Sequence, residues 1–150
     1  MPKSAKLIIT RGIPASGKST WAFSQLLPND NRIVIERDII RKELNFPEGY
    51  NRRTEALVVT ELTNRILRAL YDGLVVINSD CNLTPKHEDR MRELAYQMNA
   101  SFEIKEFPIS LNSALERNQL RYPGPNFVPE SRMRAMYHDL ITNYPHMKVN

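Results

Sequence analysis

Cysteine is almost absent from this sequence: Cys81 is the only one in 150 residues. No disulfide can close within the chain, which suits a reducing compartment. A lone thiol with no partner in view reads as a small packed residue rather than a nucleophile. No apolar run approaches the length that spans a bilayer. The opening stretch, Met1-Pro2-Lys3-Ser4-Ala5, lacks the apolar core of a secretory signal. A cytoplasmic protein with no membrane contact is therefore expected. Histidine is sparse as well, and His87, His138 and His146 show no metal-ligand spacing, so they read as surface residues. Repeats, low-complexity tracts and linkers are missing, which leaves one domain over residues 1–150 with enough length to bury a core. No charge of one sign dominates: the net charge is +4. That mild basic excess suits phosphate-rich ligands without establishing nucleic-acid binding by itself.

Glycine occurs only five times, so two of them close together carry information. Gly12-Ile13-Pro14-Ala15-Ser16-Gly17-Lys18-Ser19-Thr20 fits G-x-x-x-x-G-K-S, the phosphate-binding P-loop pattern. It follows the apolar run Leu7-Ile8-Ile9 and opens a segment that reads as helix, the context the motif requires. Gly12 and Gly17 let the backbone approach closely and turn its N–H groups toward one point. The helix start adds partial positive charge there. Lys18 can reach the β- and γ-phosphates of a nucleoside triphosphate, Ser19 can offer its hydroxyl to Mg²⁺, and Thr20 supports the loop from below.

The remaining chain alternates. Strands are expected at Lys6–Arg11, at Ile33-Val34-Ile35 (buried), at Leu74–Asn78 and at Ser101–Phe107. Helices are expected from Lys18 to about Leu27, over 36–44, over Thr54–Tyr71, from Pro85, from Ser110 to about Arg121, and from Pro129 to about Asn143. Residues 45–53 read as a loop. Val59, Leu62, Ile66 and Leu70 mark the buried face of the long helix. Thr84 caps the helix that Pro85 opens. The order β-α-β-α-α-β-α-β-α-α predicts an α/β fold of the P-loop NTPase type. It is a three-layer α/β/α sandwich with a mostly parallel sheet of about four strands and a helical lid. Trp21 and most tyrosines read as core or half-buried, with Tyr50 and Tyr122 in loops.

Ligands of such sheets bind beyond the carboxyl ends of the strands, so the P-loop, Asp38 and Asp80 are expected on one rim. Asp38 and Arg41 share a helix face. Asp38 can take a proton from a substrate hydroxyl as the γ-phosphoryl group moves, or it can serve only as a helix cap. Asp80 ends an apolar strand, where an aspartate binds Mg²⁺ through water or holds the P-loop serine. Cys81, not an acid, follows it, which speaks against hydrolysis-driven motor work. No Asn-Lys-x-Asp segment is present, which speaks against guanine selection. Arg117 and Arg121, four apart on one expected helix face, can fold over a triphosphate as a lid or can be a solvated pair.

Taken in order, several segments resemble the 5′-hydroxyl kinase module of phage-type polynucleotide kinases, and the likeness spans almost the whole chain. They are Gly12 through Trp21, Arg37-Asp38-Ile39-Ile40-Arg41, Ser79-Asp80-Cys81-Asn82-Leu83, Arg117-Asn118 with Arg121, and Val128-Pro129 before Met133-Arg134-Ala135-Met136-Tyr137. The P-loop and Trp21 are shared with other small kinases; the Arg-Asp-x-x-Arg and Ser-Asp-x-Asn-Leu segments are more telling. The resemblance implies that Gly12, Ser16, Gly17, Lys18, Ser19 and Thr20 hold the phosphates of ATP, with Mg²⁺ on the Ser19 hydroxyl. It implies that Asp38 is the general base on a 5′-hydroxyl and that Arg41 grips the phosphate on the 3′ side of the acceptor nucleotide. Asp80 would orient Ser19 and Arg41, Arg121 would clamp the donor phosphates, and Arg117 would lie toward the nucleotide base. The acceptor would be a DNA or RNA end, met in the host cytoplasm if the chain is phage-encoded. Bifunctional members also carry an Asp-x-Asp-Gly-Thr phosphatase motif, which this chain lacks. A phosphatase or ligase would be a separate chain.

Two other readings stay open at this point. One is a P-loop kinase acting on a small-molecule hydroxyl, such as a sugar acid, nucleoside or antibiotic. The other is a nucleotide-binding regulatory module without catalysis.

Overall fold

The computed structural model describes residues 4–45 and 51–150. Four strands, β1 (Lys6–Arg11), β2 (Arg32–Val34), β3 (Val75–Asn78) and β4 (Ser101–Glu106), form one sheet in the order β2-β3-β1-β4, with every pairing parallel. Helices α1 (Lys18–Ser24), α2 (Arg37–Leu44), α3 (Arg52–Tyr71), α4 (Pro85–Gln97), α5 (Leu111–Gln119) and α6 (Glu130–Asn143) follow, with a 3₁₀ turn at Pro145–Met147. Right-handed crossovers put α1 on one face of the sheet and α2, α3 and α4 on the other. That second face holds the larger core, where Leu7, Ile9 and Val76 of the strands meet Ile40, Val58, Leu62, Ile66 and Leu94. Each such side chain contributes roughly 1.5–3 kcal/mol over leaving it exposed.

The helix ends follow from local chemistry. Asn51 and Thr54 form a reciprocal capping box at the start of α3, each side chain bonding the other's backbone N–H at 3.0 Å. Thr84 accepts from the His87 N–H and Pro85 takes the first turn of α4. Gly73, at φ 78, ends α3 in the left-handed conformation that glycine adopts most easily.

Four expectations need correction. Ile33-Val34-Ile35 is not a wholly buried strand. β2 lies at the sheet edge, paired only to β3, and Ile33 is 37% exposed while Ile35 is buried. Helix α1 stops at Ser24, before Leu27. In α3 the fully buried residue is Val58, with Val59 half-buried, because the inward stripe runs in steps of four through Thr54, Val58, Leu62 and Ile66. The loop expected over 45–53 gives way to α3 at Arg52; residues 46–50, Tyr50 among them, lie outside the described residues.

A second core binds the lid to the P-loop. Ile13 packs in one cluster with Leu83, Ala114 of α5, Met133 and Leu140 of α6, and Met147. Beside it sits Arg11, 3% exposed. Its guanidinium pairs with Glu88 of α4 and Glu106 of β4, donates to the Asn82 carbonyl oxygen at 3.1 Å, and lies 3.6 Å over the Tyr144 ring. Burial opposes the charge on Glu88, but the hydrogen bonds from Arg11 and Arg92 prevail and hold its carboxyl below the usual range. Arg11→Met is expected to lower unfolding stability by about 3 kcal/mol, because it removes the buried partner of Glu88 and Glu106 and leaves them only the exposed Arg92 and His146. Urea denaturation measures this, and a loss under 1 kcal/mol would show that the pairs contribute little.

Candidate active site

The three loops that leave β1, β2 and β3 open on the same rim. Gly12 has no room for a side chain: a Cβ there would fall 2.6 Å from the Ser16 Oγ and 3.1 Å from the Phe107 carbonyl oxygen. Its N–H donates to the Cys81 carbonyl oxygen at 3.1 Å, tying the P-loop to the loop after β3. Gly17 caps α1 at φ 102, a left-handed backbone that strains any other residue. Ala15 also has positive φ, at 69, so the loop bends sharply around its center. Lys18 is buried, and its Nζ donates to the Ile13 carbonyl oxygen at 2.8 Å and approaches the Ser16 Oγ at 3.5 Å. Ser19 and Thr20 are exposed.

Ser19 does not turn to Asp80. Its hydroxyl donates to Glu36 Oε2 at 3.2 Å, and the Ser79 hydroxyl donates to the same oxygen. Glu36 occupies the N-cap position of α2, yet its side chain makes no cap bond. Asp80 instead accepts from the Arg37 N–H at 3.0 Å and from Asn78 Nδ2 at 2.9 Å, and it pairs with the Arg37 guanidinium at 3.3 Å. The strand ends are welded by two buried asparagines. Asn78 Nδ2 also reaches the Ile35 carbonyl oxygen, and Asn82 Nδ2 reaches the Thr10 carbonyl oxygen and Asn78 Oδ1.

Asp38 stands in the first turn of α2, one residue inside the helix rather than at its cap. Its side chain is 70% exposed and pairs with Arg41 at 2.5 Å. Arg41 is held from the other side by Glu55 of α3, at 2.6 and 3.0 Å, and Glu55 also reaches Arg37 at 3.4 Å. Burial works against the Arg41 charge, but the Glu55 hydrogen bond and attraction to Glu55, Asp38 and Asp80 raise its pKa above the ordinary arginine value. The result is a positive group fixed beside an accessible carboxylate. His87 is half-buried rather than superficial. Burial and the charges of Arg37, Arg90 and Lys86 lower its pKa against the pull of Asp80. Its Nδ1 is buried without a partner among the described residues.

The lid arginines separate. Arg117, in the last turn of α5, donates to the Ala15 carbonyl oxygen at 3.4 Å and so touches the P-loop. Arg121 is not on that helix, which ends at Gln119; it lies exposed in the following turn. The reason is Asn118, 2% exposed, whose side chain clasps the backbone of Val128 in both directions, at 2.6 and 3.0 Å. That clasp draws the chain out of the helix and into α6.

Glu36, Glu55, Asn78, Asn82 and Asn118 were missed as site residues. Asn78 was visible as a polar residue ending an apolar run, and Asn82 and Asn118 stood within the segments that carry the family resemblance; Glu36 and Glu55 left no such signal. Among the described residues no group of three or more His, Cys, Asp and Glu is placed to hold a metal. No helix among them is long and apolar enough to cross a membrane. A hollow of about 380 Å³ lies between β2, α2 and α3, lined by Ile33, Ile39, Arg65 and Leu74 among others. It is not bordered by the P-loop.

The AAA domain model matches residues 7–140. A protein of Autographa californica nuclear polyhedrosis virus, named as a bifunctional polynucleotide kinase/RNA ligase, is 28% identical over 140 residues, 87% of this chain and 20% of that protein. The chain thus spans about a fifth of that relative. A solved structure of the Pnkp1/Rnl/Hen1 RNA repair complex superposes with a TM-score of 0.83 at 20% identity, covering 97% of this chain and 47% of its counterpart. The Mycobacterium tuberculosis APS kinase CysC, solved with AMPPNP and APS, matches with a TM-score of 0.59 at 21% identity, over 82% of this chain and 71% of that one. Both structural likenesses concern the fold.

Proposed function

The chain belongs to the AAA domain family, and from that premise we propose that it is an ATP-dependent polynucleotide 5′-hydroxyl kinase, moving the γ-phosphoryl group to the end of a DNA or RNA strand. The observation that carries this is the Asp38–Arg41 pair at 2.5 Å. It sets a proton acceptor beside a guanidinium suited to a phosphate. A nucleic-acid end offers a hydroxyl and, on the same nucleotide, a 3′ phosphate; most small alcohols offer only the hydroxyl. The names of the viral relative and of the repair complex support the same acceptor class.

The P-loop N–H groups and Lys18 receive the donor phosphates. When an acceptor phosphate takes up Arg41, Asp38 is released to accept the 5′-hydroxyl proton. The oxygen then bonds to the γ-phosphorus as the bond to the β-γ bridging oxygen breaks, and ADP leaves. Arg117 and Arg121 close from the lid over the charge that develops. Asp80, by holding Arg37, keeps α2 in place on the rim. The Ser19 hydroxyl, with the Glu36 carboxylate behind it as hydrogen-bond acceptor, fits magnesium, a hard cation that takes few protein ligands beside substrate phosphates. Bound there it would supply charge neutralisation on the β- and γ-phosphates. Residues 1–150 act as one kinase domain in the cytoplasm. Any 3′-phosphatase or ligase step falls to residues beyond these, on the same polypeptide or another.

The test offers γ-labelled ATP with a 5′-hydroxyl oligonucleotide, a 3′-phosphorylated nucleoside, an unphosphorylated nucleoside and a panel of sugar acids. Label is expected on the first two. The nucleoside without its 3′ phosphate is expected to be poorer by about 10- to 100-fold, the worth of one charge-assisted contact. Label on small alcohols alone would overturn the proposal.

A further inference from the structure

Two carboxylates reach the rim from the second and third strands, and their surroundings differ. Asp80 is saturated: a backbone N–H, an amide and the Arg37 guanidinium all point at it. Glu36 is 9% exposed and receives two serine hydroxyls, Ser19 from the P-loop and Ser79 from the loop after β3. None of the ion pairs among the described residues includes it. Both hydroxyls meet one carboxylate oxygen, Oε2, so the charge is held in place by neutral donors on the P-loop side, where a cation would be attracted to it. The direction of the Ser19 bond is informative. A serine oxygen that gives a lone pair to a cation needs an acceptor for its proton, and here the acceptor is already in place.

We propose that Glu36, and not Asp80, is the carboxylate of the divalent-cation site. It accepts the hydrogen bond of the Ser19 hydroxyl, so that the Ser19 oxygen lone pair is aimed at the cation, and it stays ionised and supplies the negative charge that the cation offsets. Ser79 is the positioning residue that holds Glu36 in this orientation. The assignment rests on the nucleotide-binding half of the proposed function and is independent of the acceptor.

Glu36→Gln is the informative change, because an amide oxygen still accepts from both hydroxyls while the charge is lost. Mn²⁺ is titrated into protein with ADP and followed by electron paramagnetic resonance. ADP binding in EDTA is followed in parallel by calorimetry. Glu36→Gln is expected to weaken Mn²⁺ binding by about 10- to 100-fold, the usual effect of losing an outer-shell partner. Its metal-free ADP affinity should stay within about threefold of the parent, and Asp80→Asn should keep parental Mn²⁺ affinity. Ser79→Ala, which leaves the carboxylate present but unheld, should shift Mn²⁺ binding in the same direction by a smaller factor. Parental Mn²⁺ affinity in both Glu36→Gln and Ser79→Ala would overturn the assignment, as would a loss confined to Asp80→Asn. Normal metal responses with no label on oligonucleotides would instead remove the polynucleotide acceptor and leave this assignment standing.

Discussion

Asp38→Asn is expected to lower the rate of phosphoryl transfer by about 10²- to 10⁴-fold, the contribution of the general base proposed at this position, while ATP binding stays near its original strength. The asparagine keeps the shape of the side chain and can still meet Arg41, but its amide has no oxygen basic enough to take a hydroxyl proton. Stability should barely move. The Asp38 side chain is 70% exposed, and an exposed ion pair contributes about 1 kcal/mol or less. Single-turnover transfer to a 5′-hydroxyl oligonucleotide, beside nucleotide binding by calorimetry, reads both halves. A loss below tenfold would move the base elsewhere on the rim. A regulatory module without catalysis would show no transfer in either protein.

Lys18→Ala has the other large effect, and its signature differs because donor binding falls together with transfer. The ammonium is the charged donor nearest the P-loop backbone, so its removal is expected to lower transfer by at least about 10²- to 10³-fold, the loss seen when one preorganised donor is deleted. Lys18 also donates to the Ile13 carbonyl oxygen at 2.8 Å. Part of the effect should therefore come from a loop that no longer keeps its curve. Lys18→Arg separates the two parts. It restores a positive charge, but a planar fork cannot take the place of a compact ammonium in a site this enclosed, so little activity should return. Transfer within tenfold of the parent in Lys18→Ala would contradict the role.

The P-loop could be read from residues 12–20 because its determinants are local: glycines where the backbone must turn left or come close, and a lysine at the helix start. The α/β alternation was legible for the same reason, since strand and helix periods are local patterns. Edge position was not, because Ile33-Val34-Ile35 looks alike whether one flank or two are paired. Arg121 was expected on α5 since a spacing of four is compatible with a helix, while the clasp that ends the helix comes from Val128, out of view of any local pattern. Glu36 and Glu55 escaped for a related reason. Their partners sit on other elements, Ser79 for one and Arg41 for the other. The groups proposed as reactive could be named from local sequence, but the groups that hold them could not, since holding requires elements brought together only by folding.

Ile13 and Met147 share one packed cluster, though they stand near opposite ends of the described residues. A ribosome makes the P-loop well before the α6 and 3₁₀ part of its apolar backing. While translation is under way, the nascent chain carries the full G-x-x-x-x-G-K-S sequence but lacks the floor beneath Ile13. The packing that backs the loop is therefore complete only once α6 and the 3₁₀ turn have been made.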